Sequence, residues 1–94
     1  MEFEFDPSKD VANRFKHRLR LAFGARVFDD PAFILMPTIR IGDEEERWKA
    51  TGLVDGKLFT AIHVWRGDLV RFISVRGSNA GEQRNYDRHS GGSE

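Results

Sequence analysis

The chain has no cysteine. That excludes a disulfide framework, a thiolate metal site and a cysteine nucleophile. No apolar run approaches the 18 residues of a membrane span, and the start Met1-Glu2-Phe3-Glu4 is acidic rather than signal-like. A cytoplasmic protein with no membrane part is the expectation. The HExxH, P-loop and GxGxxG patterns are missing, and with them the zinc-protease, nucleotide-phosphate and dinucleotide chemistries they carry. The acidic run Asp43–Glu46 has neither the alternating ligands nor the glycine of a calcium loop, so it reads as a solvated loop. No metal and no cofactor are expected. Net charge is also missing: 15 basic residues balance 15 acidic ones, so nothing global pulls the chain toward nucleic acid.

What remains is 94 residues, 39% hydrophobic, with eight Phe and two Trp. That suffices for one domain around its own core, and it argues against disorder. The domain is expected over residues 1–88, with 89–94 a flexible tail. Charge is balanced but unevenly placed. Arg14 to Arg26 holds five basic side chains and His17 without one acid, so local anion binding remains open.

The elements follow from local signals. Glu2–Phe5 alternates and reads as a strand. Asp6-Pro7 pairs an N-cap with a first-turn proline, starting a helix that ends near His17 with Val11 and Phe15 as its buried stripe. A second helical segment runs from Leu21 to Asp29 and stops before Pro31; Gly24 weakens it by roughly 1 kcal/mol against Ala. Phe33–Met36 is an edge strand, and Thr38–Glu46 an exposed loop. Arg47–Val54, Lys57–Trp65 and Leu69–Arg76 then form an antiparallel meander joined by Asp55-Gly56 and Arg66-Gly67-Asp68. Asn79–Arg88 is a short polar helix. Two-residue turns put Leu53, Leu58, Ile62, Val64, Leu69, Ile73 and Val75 on one face, taken as the core. Trp48, Phe59, His63, Trp65, Phe72, Ser74 and Arg76 fall on the other, mixed face. The fold class is α+β: two N-terminal helices on a small antiparallel sheet, with a short C-terminal helix.

Several stretches, in order, resemble one family. They are Glu4-Phe5-Asp6-Pro7-Ser8-Lys9, Asn13, Lys16-His17 and Val27-Phe28-Asp29-Asp30-Pro31. Further on come Glu46-Arg47-Trp48, Gly52, His63-Val64-Trp65-Arg66-Gly67-Asp68 and Val70-Arg71-Phe72-Ile73-Ser74-Val75-Arg76, with Glu82 and Tyr86 behind them. The pattern resembles the BrnT toxins of type II toxin–antitoxin systems, from Glu2 to Tyr86. The resemblance implies a RelE-like ribonuclease fold and a BrnA-like antitoxin that carries a DNA-binding segment. Operator DNA would then be reached only through the antitoxin. The chain departs from the family at Arg18, where a glycine is usual, and at Arg20, where a small polar cap is usual.

RNA cleavage without a metal needs a base for the 2′-hydroxyl, cations for the charge on phosphorus, and an acid for the leaving 5′-oxygen. Arg76 suits bidentate phosphate contact; an ion pair with Glu82 or Asp87 is its structural alternative. Arg66, in the turn before the last strand, either reaches the same phosphate or is solvated. His17 titrates near working pH and, with Lys16, becomes a site member through the resemblance; otherwise it caps a helix end. Arg66, Arg76, His17 and Lys16 are thus the catalytic candidates, and Arg47, Trp48, Ser74 and Tyr86 the RNA-binding ones. Glu82 and Tyr86, four apart on the last helix, either orient Arg76 and supply an acid or form a surface pair. His63 reads as a packed strand histidine, and Arg71 as structural. The antitoxin is expected to cover the mixed face. The expected function is a ribonuclease toxin that inhibits translation; the rival is a noncatalytic module acting only within a repressor complex.

Overall fold

The structure is a computed structural model and describes residues 1–38 and 46–90. Strand β1 (Glu2–Phe5) leads into helix α1 (Pro7–His17). The start is capped as the sequence requires: Asp6 is extended, and its Oδ1 accepts the Ser8 N–H at 2.9 Å. Arg18 ends α1 in the left-handed region at φ 60°, its N–H donating to Arg14 O at 2.9 Å. A left-handed C-cap is the glycine position of a helix, which explains the glycine usual there in the resembling family. A 3₁₀ turn (Leu21–Phe23) continues into the one-turn helix α2 (Gly24–Val27), two residues shorter than expected.

Strands β2 (Ile34–Thr38), β3 (Arg47–Val54), β4 (Lys57–Arg66) and β5 (Leu69–Gly77) follow, then helix α3 (Ala80–Ser90). The sheet has five strands in the order β1-β5-β4-β3-β2. All neighbours are antiparallel except β1, which lies parallel to β5. The sheet is therefore mixed and larger than the expected meander with a short N-terminal strand. β2 runs on to Thr38, and its Pro37 is tolerated because β2 is an edge. The acidic loop expected after it lies, apart from Glu46, outside the described residues. α3 reaches Ser90, with His89 Nδ1 2.8 Å from Asn85 O, so the expected tail starts too early.

Both turns set the expected register: Val54 pairs with Lys57, and Arg66 with Leu69. Asp55 and Gly56 both have positive φ, at 51° and 82°, as a two-residue turn that matches strand twist requires. Between Ile62 and His63 the ladder shifts: Ile62 pairs with Ser74 but His63 with Phe72, leaving Ile73 as an extra residue on β5. This bulge resets the alternation, so that Phe72 and Val75, three apart, are both fully buried.

The core differs from the expected one in most members, with Val75 common to both and Val64 also buried. Leu21, Val27, Ala50, Val54, Ala61, Val70, Phe72 and Val75 form it, with Phe3, Phe23, Phe28 and Phe59 packed against it. Phe3 stacks on Phe72 at 5.2 Å, Phe23 meets Phe59 edge-on at 4.8 Å, and Phe28 meets His63 at 5.2 Å. The face read as mixed thus carries the aromatic core, while Leu53, assigned to the core, is 43% exposed. The register holds from the turns to the bulge at Ile73, and the buried face is mainly the other one. Aliphatic strands alone do not say which side meets the helices; here the larger phenylalanine surfaces went inward. Gly24 serves this core, because a Cβ there would lie 2.6 Å from the Phe72 ring.

The expected buried stripe of α1 is likewise exposed: Val11 is 51% and Phe15 88% accessible. Polar groups dock the helix instead. β1 pairs with β5 only as far as Phe72, so Val75 has no strand neighbour there. The Asn13 amide takes that place, donating to Val75 O at 2.9 Å and accepting from Val75 N at 3.0 Å. Asn13 also donates to Leu19 O at 2.8 Å, and Asp10 accepts the Leu21 N–H at 2.7 Å. Both ends of an amide side chain therefore extend the ladder one position and hold the C-terminal half of α1 beside Arg76.

Candidate active site

Glu82 organises the site. It is the third residue of α3, and the spacing Asn79-x-x-Glu82 makes a capping box. Asn79 Oδ1 accepts the Glu82 N–H at 2.8 Å, and Glu82 Oε1 accepts the Asn79 N–H at 2.9 Å. The cap pins a carboxylate under the sheet, where Glu82 is buried. Arg76 donates to it bidentately, at 2.7 Å to Oε1 and 2.8 Å to Oε2. Lys49 Nζ donates to Oε2 at 3.1 Å, and Thr60 Oγ1 to Oε1 at 2.9 Å. Thr60 Oγ1 also lies 2.9 Å from Thr51 Oγ1 and 2.8 Å from Ser78 Oγ. Three strands and one helix end thus meet at one carboxylate.

The electrostatics follow. Burial alone would raise the Glu82 pKa. Hydrogen bonds from Arg76, the Asn79 N–H, Thr60 and Lys49 outweigh it and bring the value down to about 2. The Glu82 hydrogen bonds raise the Arg76 pKa, against its burial. Two cations on one carboxylate leave a positive balance. Of the five guanidinium N–H groups of Arg76, two serve Glu82 and one the Gly77 carbonyl at 3.3 Å. Two remain for an anion.

His17, at the end of α1, comes into this field. Its pKa is lowered, first by burial and then by the charges of Lys16 and Arg76. The imidazole is therefore neutral near pH 7 and able to accept a proton. Ser74, two residues before Arg76, donates to Asn13 Oδ1 at 3.3 Å. Arg47 lies two positions before Lys49 in β3 and so on its face of the sheet.

Other sequence candidates lie elsewhere. Arg66 pairs with Leu69, whereas Arg76 pairs with Thr60. Six residues along β4 separate the two rungs, roughly 20 Å at about 3.3 Å per residue. Arg66 borders a shallow groove with Met1, Glu2, Asp68 and Leu69 at the far end of the sheet. The expectation that Arg66 and Arg76 converge on one phosphate is corrected: one antiparallel hairpin puts them at opposite ends. Trp48 alternates with Lys49 and falls on the Ala50 side of β3. Tyr86 is buried, and its hydroxyl donates to Asp30 Oδ2 at 2.6 Å. Asp30 also accepts from the Leu53 and Ala32 N–H groups; burial raises its pKa, but these bonds together lower it. His63 is fully buried between Phe28 and Trp65, with Nδ1 3.0 Å from Ala61 O and no partner on Nε2 among the described residues. Arg71 pairs with Glu4 at 2.7 Å, the structural role expected of it.

The Arg76–Glu82 ion pair is the one named as the structural alternative for Arg76, whereas the membership of Lys49 escaped the sequence reading. Lys49 was one cation among many, and nothing local tied it to residue 82. The Asn79-x-x-Glu82 cap was legible, and it would have fixed the carboxylate at the start of α3.

The fold is thus a five-stranded α+β domain in which an arginine and a lysine meet on one buried carboxylate, with His17 in the field of that arginine. The model of the ribonuclease toxin family BrnT, of type II toxin–antitoxin systems, matches residues 5–82. The chain belongs to that family. A comparison with curated proteins gave no match.

Proposed function

We propose that this chain is an endoribonuclease toxin that cuts RNA without a metal at the Arg76–Lys49–Glu82 cluster, stops translation in the cytoplasm, and is neutralised by a BrnA-like antitoxin through which operator DNA is reached. The observation that carries the reading is the bidentate Arg76–Glu82 pair, with a neutral His17 in the electrostatic reach of Arg76. Arg76 and Lys49 hold the scissile phosphate through N–H groups not used by Glu82. Glu82 is a positioning residue: it holds both cations on one carboxylate and touches no substrate atom.

His17 takes the proton from the 2′-hydroxyl. The 2′-oxygen forms its bond to phosphorus as the bond to the 5′-oxygen breaks, and Lys16 gives that oxygen its proton. The products are a 2′,3′-cyclic phosphate and a 5′-hydroxyl. No water is consumed in the step, and the two proton transfers balance. Developing charge on the phosphoryl oxygens is met by the two cations. Arg47 and Ser74 flank this path and contact the RNA on either side.

The specific observation behind the noncatalytic alternative is that Arg76 already has a carboxylate partner. Cleavage of a single-stranded RNA in EDTA separates the two readings. Wild type should yield cyclic-phosphate ends, and Arg76→Lys, which keeps the charge on Glu82 but loses the fork, should be about 100-fold slower. Uncut RNA, with translation of a ribosome-bound message also unaffected, overturns the enzymatic reading.

A further inference from the structure

We infer that the outward face of α1 is the surface on which the antitoxin docks, through an acidic amphipathic segment. The inference rests on the toxin reading above and relocates the partner. The face first expected to receive it is filled by Phe59, His63 and Phe72 under the chain's own helices.

Three observations place the partner on α1. First, Val11 and Phe15 lie one turn apart and point away from the buried Asn13, at 51% and 88% exposure. Among the described residues no other aromatic side chain is as exposed as Phe15. Because polar bonds from Asn13 and Asp10 dock the helix, its apolar stripe is left unused by the fold. Second, Arg14 and Arg18 share that stripe at helical spacing, and together with Val11 and Phe15 they line a shallow groove of roughly 440 Å³. Lys16 and Arg20 lie close in sequence, and no acid occurs between Arg14 and Arg26. An apolar pair framed by arginines is complementary to an apolar pair framed by carboxylates. Third, the same charge argues against a second copy. A two-fold contact would set Arg14 and Arg18 against their own equals.

RNA is the other polyanion that could use this face. An aliphatic Val11 beside the ring offers no second plane for a base, whereas an i, i+4 apolar pair matches the spacing of a docked helix. Occupation here would also set the partner beside Lys16 and His17, at the mouth of the site, so that one contact could bind the toxin and obstruct the phosphate path.

The test is calorimetric titration of the purified toxin with a purified BrnA-like antitoxin, run with RNA cleavage on the same samples. The variants are Phe15→Glu and Arg14→Glu. Both side chains are exposed and glutamate suits a helix, so a circular dichroism spectrum equal to wild type is the fold control. Phe15→Glu should weaken antitoxin binding by roughly 30-fold or more, as a central aromatic anchor does. Arg14→Glu should weaken it and flatten its salt dependence. Cleavage by both variants should stay near the wild-type rate but escape neutralisation. Antitoxin affinity within threefold of wild type for both variants overturns the proposal, as does a loss of RNA binding with antitoxin binding intact. If wild type cuts no RNA yet Phe15→Glu loses the antitoxin, the docking surface stands and the ribonuclease reading falls.

Discussion

Glu82 concentrates several requirements in one side chain: it caps α3, neutralises part of two cations and bonds Thr60. Its pKa of about 2 in the fold, against an ordinary 4.5, means that the folded protein holds the ionised form more firmly than the unfolded chain does. The stability this contributes is present above about pH 4.5 and is lost as pH falls through 4.5 toward 2. It amounts to an order of 3 kcal/mol. Urea unfolding of wild type and Glu82→Gln across that range should therefore show a steep loss for wild type and a shallower one for the variant. His17 has the complementary role. Its lowered pKa favours the neutral form at pH 7, so kcat/KM should rise with pH through a midpoint below the ordinary histidine value. Glutamine at position 17 should remove that acid limb and cost about 100-fold in rate, read from pH–rate profiles of both proteins.

At the scale of elements, α1 is a helix whose ends are set by sequence and whose docking is set by polar bonds. Asp6 and Pro7 start it, and Arg18 ends it in a conformation that L-residues adopt at a cost of about 1–2 kcal/mol. Arg18→Gly relieves that strain but adds backbone freedom to the unfolded chain. The net expectation is a gain of about 0.5–1 kcal/mol, measured as a shifted urea midpoint at constant slope. The α2 segment shows the opposite use of glycine. Gly24 weakens a short helix in isolation, yet the Phe72 ring occupies the space a side chain would need. The β5 bulge is the third such feature. One extra residue at Ile73 turns Phe72 and Val75 to the same side and leaves Arg76 on the Glu82 side.

At the scale of the whole molecule, the sheet separates two faces. One carries the Leu21–Phe23 turn, α2 and the aromatic core; the other carries α3 and the ionic cluster; α1 docks at the edge of β5. α3 is anchored twice, by Glu82 at its start and by the Tyr86–Asp30 bond one turn later. Asp30 in turn receives the Leu53 N–H, tying α3 to the loop before β2 and to β3. Tyr86→Phe should therefore cost about 1–2 kcal/mol of stability, since the lost bond is to an ionised carboxylate. RNA cleavage should change by less than about twofold. A large loss of rate with little loss of stability would return Tyr86 to the RNA path.

The sequence alone determined whatever depends on neighbours along the chain. The cap at Asp6, the Asp55-Gly56 turn, the α3 segment and the pairing next to each turn are local matters of dihedral preference and spacing, and each is found where those preferences put it. The resemblance carried by dispersed residues from Glu4 to Tyr86 likewise named the family that the match over residues 5–82 shows. Tertiary structure decided the rest. Which sheet face is buried depends on what the helices offer it, and two period-2 faces of similar apolarity do not contain that information. A bulge reverses faces midway along β5, and no local pattern announced Ile73 as the extra residue. The separation of Arg66 from Arg76 follows from antiparallel geometry, which puts a residue at a turn far from one at the open end. The meeting of Lys49, Arg76 and Glu82 needs two strands and a helix start to be in place, because a buried carboxylate finds its cations through space and not along the chain.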